Sequence, residues 1–167
     1  MALFIPTRFY RRVEDITQND LQQMGIQGVL LDVDNTLSPH GDPTPLPTAL
    51  QWVYGLQAAG IKVLIVSNNK TERVAPFAAK FGLDFISKAA KPLPSGFRRG
   101  QDRLGLPREK LLVVGDQLFT DILGANLAGM PSALVEPIEP ENKPLFRVKR
   151  WLEKPLLRHG RRKRGLQ

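Results

Sequence analysis

The sequence predicts a three-layer α/β fold, a central parallel sheet covered by helices on both faces. Three observations predict it. Short apolar runs at 28–33, Lys62–Val66 and 111–114 lack the polar alternation of a half-exposed strand, as expected of strands buried on both sides. Helix-length stretches separate them, which makes βαβ units. Each run also ends on polar residues, Asp32 to Asn35, Ser67 to Asn69 and Gly115 to Gln117. In open parallel sheets the binding crevice lies beyond such carboxyl ends.

In chain order, a stretch around Thr17 predicts a short helix before the first strand. Helices follow at about 45–59, 71–80, 94–104 and 119–129, with weaker strands at Asp84–Ile86 and Ser132–Val135. Thr71 and Ser95 are expected as N-caps, and Gly60, Gly82 and Gly105 as helix stops. Trp52 and Phe77 read as core residues of their helices. The expected organisation is an N-terminal segment 1–25, a core domain 26–140 and a basic tail 141–167.

A chain of 167 residues with 42% hydrophobic and 24% charged residues can bury one ordinary core. The absence of cysteine excludes disulfides, thiolate zinc sites and a cysteine nucleophile, and suits a reducing compartment. No apolar run reaches the roughly 18 residues of a membrane span, and the start is too soon interrupted by Pro6 for a signal peptide. The expectation is a cytoplasmic protein. The net charge of +8 is carried by the tail: from Lys143 onward there are ten Lys or Arg and one acid, whereas residues 1–142 carry a net −1.

The chemistry-bearing residues lie at the strand ends. Asp32 and Asp34 stand two positions apart in Asp32-Val-Asp-Asn-Thr36, where a buried strand runs out. Such a pair asks for a neutralising cation, and hard carboxylate oxygens suit Mg²⁺. A carboxylate can also attack phosphorus while a second one exchanges protons with the leaving group and water; an acidic turn is the plainer alternative. Ser67-Asn68-Asn69 offers a hydroxyl and backbone N–H groups to phosphate oxygens, or is simply a polar loop. Lys91 could steady a phosphoryl group, with Lys88 as its rival. In Gly115-Asp116-Gln-Leu-Phe-Thr-Asp121, Asp116 is a candidate metal ligand at a strand mouth; Asp121 is a further acid or a helix-dipole partner. His40 is a loop histidine near the first of these motifs.

Asp-x-Asp-x-Thr, Ser-Asn, Lys and Gly-Asp-x-x-x-Thr-Asp, in that order over residues 26–136, resemble the haloacid dehalogenase superfamily of phosphatases. The resemblance implies a Rossmann-like core and a Mg²⁺-dependent phosphomonoesterase, with Asp32 as nucleophile and Asp34 as general acid and base. It implies Thr36, Ser67, Asn68 and Lys91 at the phosphoryl group. Mg²⁺ would be held by Asp32, the Asp34 backbone carbonyl and Asp116, with Asp121 nearby. Gly25-Ile26 together with these motifs is also similar to the capless subclass IIIA, YqeG-type group, which includes phosphatidylglycerophosphate phosphatases.

Only thirty residues separate Thr36 from Ser67, and twenty-one separate Asn69 from Lys91, too few for a large cap domain beside the expected helices and strands. An open cleft favours a substrate with its own bulk, such as a lipid surface, a nucleic acid or a protein, or coverage by a second subunit of a homo-oligomer. In the tail, Leu145, Val148, Leu152 and Leu156 with Trp151 form an apolar stripe among bases. That pattern suits an anionic membrane surface, although Pro155 interrupts it and a helix packed on the domain is the plain alternative. The alternatives in function are a soluble sugar or nucleotide phosphate as substrate, or an idle domain binding RNA or a ribosomal particle. No aromatic platform for nucleic acid accompanies the Arg161-Arg-Lys-Arg164 run.

Overall fold

The computed structural model describes residues 3–139. The tail and its stripe lie outside the described residues. Within them, β1 (Arg8–Tyr10), α1 (Gln18–Gln23), β2 (Gly28–Leu31), α2 (Pro47–Ala58), β3 (Lys62–Val66) and α3 (Thr71–Phe81) form the first half. The second half comprises β4 (Asp84–Ile86), α4 (Ser95–Leu104), β5 (Leu111–Gly115), α5 (Leu123–Ala128) and β6 (Ser132–Val135). The strands make one parallel sheet in the order β1-β6-β5-β2-β3-β4.

Every second residue of the central strands goes to a different layer, which is why their sequences show no polar alternation. Val29 and Leu31, Val63 and Ile65, and Leu112 and Val114 pack with Leu21, Val53, Leu56, Phe77 and Phe81 of α1, α2 and α3. Leu30, Leu64, Val66, Leu111 and Val113 pack instead with Phe97 of α4 and with Ala125 and Ala128 of α5. The result is three layers around β2, β3 and β5. Each interval between Thr36, Ser67 and Lys91 holds one helix and one strand, as expected.

Some local details match the sequence reading and others differ from it. Residues 8–10 form a strand beside β6, and Val13, Ile16 and Leu21 enter the main core. Thr17 caps α1 through a reciprocal box with Asp20. Thr71 does not cap α3: the N-cap is Lys70, and the Thr71 hydroxyl pairs with Ser87 Oγ at 2.7 Å. Ser95 likewise starts α4 after Pro94, which makes no side-chain cap bond. Gly82 and Gly105 adopt the left-handed conformation at helix ends (φ 63° and 65°), where glycine carries no Cβ penalty. Trp52 is half-buried and donates its indole N–H to the Ile16 carbonyl at 2.9 Å. The stretch expected as one helix from 119 divides into a π-type turn at Leu118–Ile122 and then α5.

Candidate active site

Because β2 lies between β5 and β3, the residues following these strands share one edge of the sheet. Asp32 continues the ladder for one residue, its N–H donating to Val114 O at 3.0 Å. Ser67 does the same toward Ile86 at 2.9 Å. Asp116 follows Gly115 at the end of β5.

A buried well of charge forms here. Lys91 Nζ donates to Asp32 Oδ1 at 2.7 Å and to Asp121 Oδ1 at 2.6 Å. Asp32, Asp116 and Asp121 each bring a carboxylate oxygen within 4.8 Å of the others. The Lys91 side chain is 3% exposed and that of Asp121 1%, while Asp32 keeps 11%, enough for a reactant to touch it.

Backbone geometry drives the lysine inward. Lys88 and Ala90 take left-handed φ values of 46° and 58°, so the chain after β4 folds back on the end of β3. Lys88 N–H donates to Asn69 O and Ala89 N–H to Ser67 O. The Asn68 side chain then substitutes for a backbone strand: its Oδ1 accepts from Lys91 N–H at 2.7 Å and its Nδ2 donates to Lys91 O at 3.0 Å. Lys88 is exposed, so of the two rival lysines Lys91 is the one in the well.

Gly115 has a packing reason. A Cβ there would overlap the Asp121 carboxylate, which lies against the glycine backbone and accepts from Gln117 N–H at 3.1 Å. The π-type turn brings Asp121 back over the strand end, its own N–H donating to Gln117 O at 2.9 Å.

Asp34 has different company. Its Oδ1 accepts from Gly41 N–H at 2.9 Å and from Arg73 Nη2 at 3.1 Å, and its Oδ2 accepts from Asn69 Nδ2 at 2.6 Å. The electrostatics diverge accordingly. Burial pushes Asp32 up to about 7; the Lys91 ammonium opposes this, and the Asp121 and Asp34 charges add to it. Burial also acts to raise Asp34, but the hydrogen bonds from Gly41, Asn69 and Arg73, with the Arg73 charge, bring it below the usual carboxylate range. Burial acts to lower Lys91, yet the Asp121 and Asp32 carboxylates hold it above the ordinary lysine range.

Three carboxylates around one ammonium leave a formal charge of −2 in a dehydrated well. A divalent cation with hard oxygen ligands matches that deficit, so the donor set fits Mg²⁺. Thr36 contributes a buried hydroxyl with no hydrogen-bond partner among the described residues, a group left for a ligand to satisfy.

Of the residues singled out in the sequence, the structure thus joins Asp32, Lys91, Asp116 and Asp121 directly. It places buried Ser67 beside them at the end of β3 and uses the Asn68 amide to brace Lys91. His40 is exposed. Sequence reasoning missed Asn69 and Arg73 as partners of Asp34. A signal was present: Arg73 is a cation in the first turn of a helix, where the dipole disfavours it unless an acid answers.

Side chains from separate strand ends converging on a buried carboxylate–lysine–carboxylate well define a phosphoryl-transfer hydrolase of the parallel α/β class. Comparisons with known proteins agree. The sequence profile of haloacid dehalogenase-like hydrolases matches residues 29–129. The probable phosphatase YqeG of Bacillus subtilis (strain 168) is 36% identical over 164 residues, spanning 98% of this chain and 95% of that protein. The chloroplastic phosphatidylglycerophosphate phosphatase 1 of Chlamydomonas reinhardtii is 28% identical over 176 residues, 90% of this chain and 63% of that protein. Among solved structures, NagD from E. coli K-12 superposes with a TM-score of 0.58 at 15% identity, over 71% of this chain and 93% of its own. The cobalt-bound deoxy-D-mannose-octulosonate 8-phosphate phosphatase of Haemophilus influenzae gives 0.55 at 17% identity, over 67% and 69%. The chain belongs to the haloacid dehalogenase-like hydrolases and is a phosphatase of that family.

Proposed function

We propose that the chain is a Mg²⁺-dependent phosphomonoesterase that works through an aspartyl-phosphate on Asp32, and that its substrate is the membrane lipid phosphatidylglycerophosphate. The observation carrying the chemistry is the Lys91 ammonium fixed between Asp32 and Asp121, beside Asp116, at the crevice edge of the sheet. The lipid substrate is supported by the plant-type and algal relatives that bear that activity in their names.

In the first half-reaction an Asp32 oxygen attacks phosphorus and the ester oxygen departs, taking a proton from Asp34. In the second, Asp34 removes a proton from water, which displaces the phosphoryl group as inorganic phosphate and regenerates the Asp32 carboxylate. Lys91 stands against the negative charge of the transferring group. Thr36 and Ser67 are offered to its oxygens, and Asn68 keeps Lys91 in place. Asp32, Asp116 and the Asp34 carbonyl, with Asp121 alongside, would hold Mg²⁺, which would supply charge neutralisation and favour ionised Asp32. The three donors on Asp34 fix the orientation of its carboxylate for both steps, and by favouring the ionised form they suit the base step.

Among the described residues no helix is long and apolar enough to cross a membrane, so the proposed contact with lipid is peripheral. The test is phosphate release from phosphatidylglycerophosphate in mixed micelles, beside soluble sugar and nucleotide monoesters, with Mg²⁺ and then EDTA. The expected result is a lipid preference, loss of turnover on chelation and recovery with Mg²⁺. Activity indifferent to EDTA overturns the metal role, and faster turnover of soluble monoesters overturns the lipid assignment.

A further inference from the structure

The scheme above leaves Arg73 without a task. It occupies the first turn of α3, the wrong end of a helix dipole for a cation, and its side chain is only 25% exposed. One guanidinium nitrogen, Nη2, reaches two groups at once: Asp34 Oδ1 at 3.1 Å and the Asp42 carbonyl at 2.9 Å. The guanidinium carbon lies 5.7 Å from the centre of the Phe77 ring, one turn further along the same helix. The next loop residue is tied to α3 as well, through Lys80 Nζ and Pro43 O at 2.6 Å. Gly41 N–H of this same loop donates to the Asp34 oxygen that Arg73 holds. Asp34 Oδ1 is therefore the meeting point of α3 and the loop.

We propose that Arg73 is a positioning residue for the phosphatase reaction: it sets the orientation of the Asp34 carboxylate by fastening it to α3 and loop 38–44 together. An isolated aspartate at a strand end could turn about two side-chain bonds, and misplacing a reacting group by about 1 Å can cost on the order of 10²-fold in rate. Asn69 restrains Oδ2 from one direction, and Arg73 with Gly41 restrains Oδ1 from another, which leaves a single arrangement of the carboxylate plane. The inference rests on the reading of Asp34 as general acid and base.

The test uses the full chain with saturating Mg²⁺ and compares kcat/KM for two monoesters. An alkyl phosphate must gain a proton as its alkoxide leaves, whereas a nitrophenyl phosphate leaves as a stable phenolate. Because kcat/KM reports steps up to the first irreversible one, hydrolysis of the phosphoenzyme does not enter it. Arg73→Ala is expected to lose about tenfold more on the alkyl ester than on the aryl ester. Arg73→Lys, which keeps the cation, is expected to show the same skew more weakly, and free guanidinium ion at sub-denaturing concentration should reduce the skew of Arg73→Ala. A role confined to stability would depress both substrates alike, and equal losses overturn the proposal. Asp34→Asn serves as the reference and should show the largest skew. If Asp34→Asn shows none, the reading of Asp34 as the acid fails. If Asp34→Asn shows it and both Arg73 variants lack it, the Arg73 assignment alone fails.

Discussion

Asp32 and Asp34 stand two residues apart on one strand end, yet their surroundings differ in kind. Around Asp32 the neighbours are carboxylates, with one lysine among them, in a well almost closed to water. Around Asp34 they are donors: a backbone N–H, an amide and a guanidinium. The first setting makes ionisation costly without a further cation, and the second makes it easy. Identical side chains thus receive separate work from the elements that face them, β5 and its following turn for one, α3 and loop 38–44 for the other.

The contrast can be broken most forcefully at its centre. Asp32→Asn should lower phosphate release on the order of 10⁴-fold or more. Above about pH 7 it also removes one charge from a crowded well, so there the metal-free protein should melt no lower than the parent. Retained turnover would remove Asp32 from the nucleophile's role. Lys91→Met leaves Asp32 and Asp121 facing each other without the cation, and should cost about 3–5 kcal/mol in urea unfolding of the metal-free protein. A much smaller loss would mean that the carboxylates are already neutral there. Gly115→Ala forces the Asp121 carboxylate off the strand, with an expected cost of about 1–3 kcal/mol and reduced Mg²⁺ stabilisation in thermal melts. An unchanged melt and Mg²⁺ response would show that the turn yields freely.

The two carboxylates should also pull pH dependence in opposite directions. Folded Asp32 keeps its proton up to about pH 7, whereas the unfolded chain releases it near pH 4. Between these values the native state binds the extra proton, so Asp32 makes the metal-free protein less stable as pH rises through that window. Asp34, held low, contributes stability above about pH 4 that is lost as pH falls below it. Mg²⁺ needs the ionised ligand, so the Tm increase it produces should grow between about pH 5 and pH 8. An increase independent of pH would take Asp32 out of the ligand set. The smallest effect is expected at the rim, where Asn69→Ala removes one bond to Asp34, about 1 kcal/mol, readable in the same urea titrations. A loss equal to that of Lys91→Met would erase the distinction between well and rim.

How far the sequence could be read follows from what each feature depends on. The central strands were legible because burial on both faces leaves an unbroken apolar run, as in Val29 to Leu31 or Leu111 to Val114. The ordered polar clusters after them were legible because a parallel sheet must bring its strand ends to one side. Strand β1 was not, since three residues carry no period and their partner lies far along the chain. The Thr71 cap failed because a competing hydroxyl, Ser87, was invisible in a linear reading. The π-type turn depends on Asp121 lying against Gly115, a tertiary contact. For the site, residue types and their order along the strand ends pointed to Asp32, Asp116 and one of Lys88 and Lys91 as candidates, but the choice of Lys91 and the grip of Asn69 and Arg73 on Asp34 required knowing how the chain after β4 folds back and where α3 passes the loop.

Strand β1 also bears on how the molecule is made. Thr7 and Ser132, joined by a hydrogen bond at 3.0 Å, are 125 positions apart, so at roughly 5–20 residues per second a ribosome needs several seconds to deliver the second after the first. Throughout that interval the earliest strand has nowhere to dock, while β2, β3 and β4 can already assemble. Completion of the sheet is therefore a late, long-range closure, the kind of step that slows folding most. A nascent chain halted before β6 would display an unsatisfied β5 edge to whatever chaperone or neighbour is at hand.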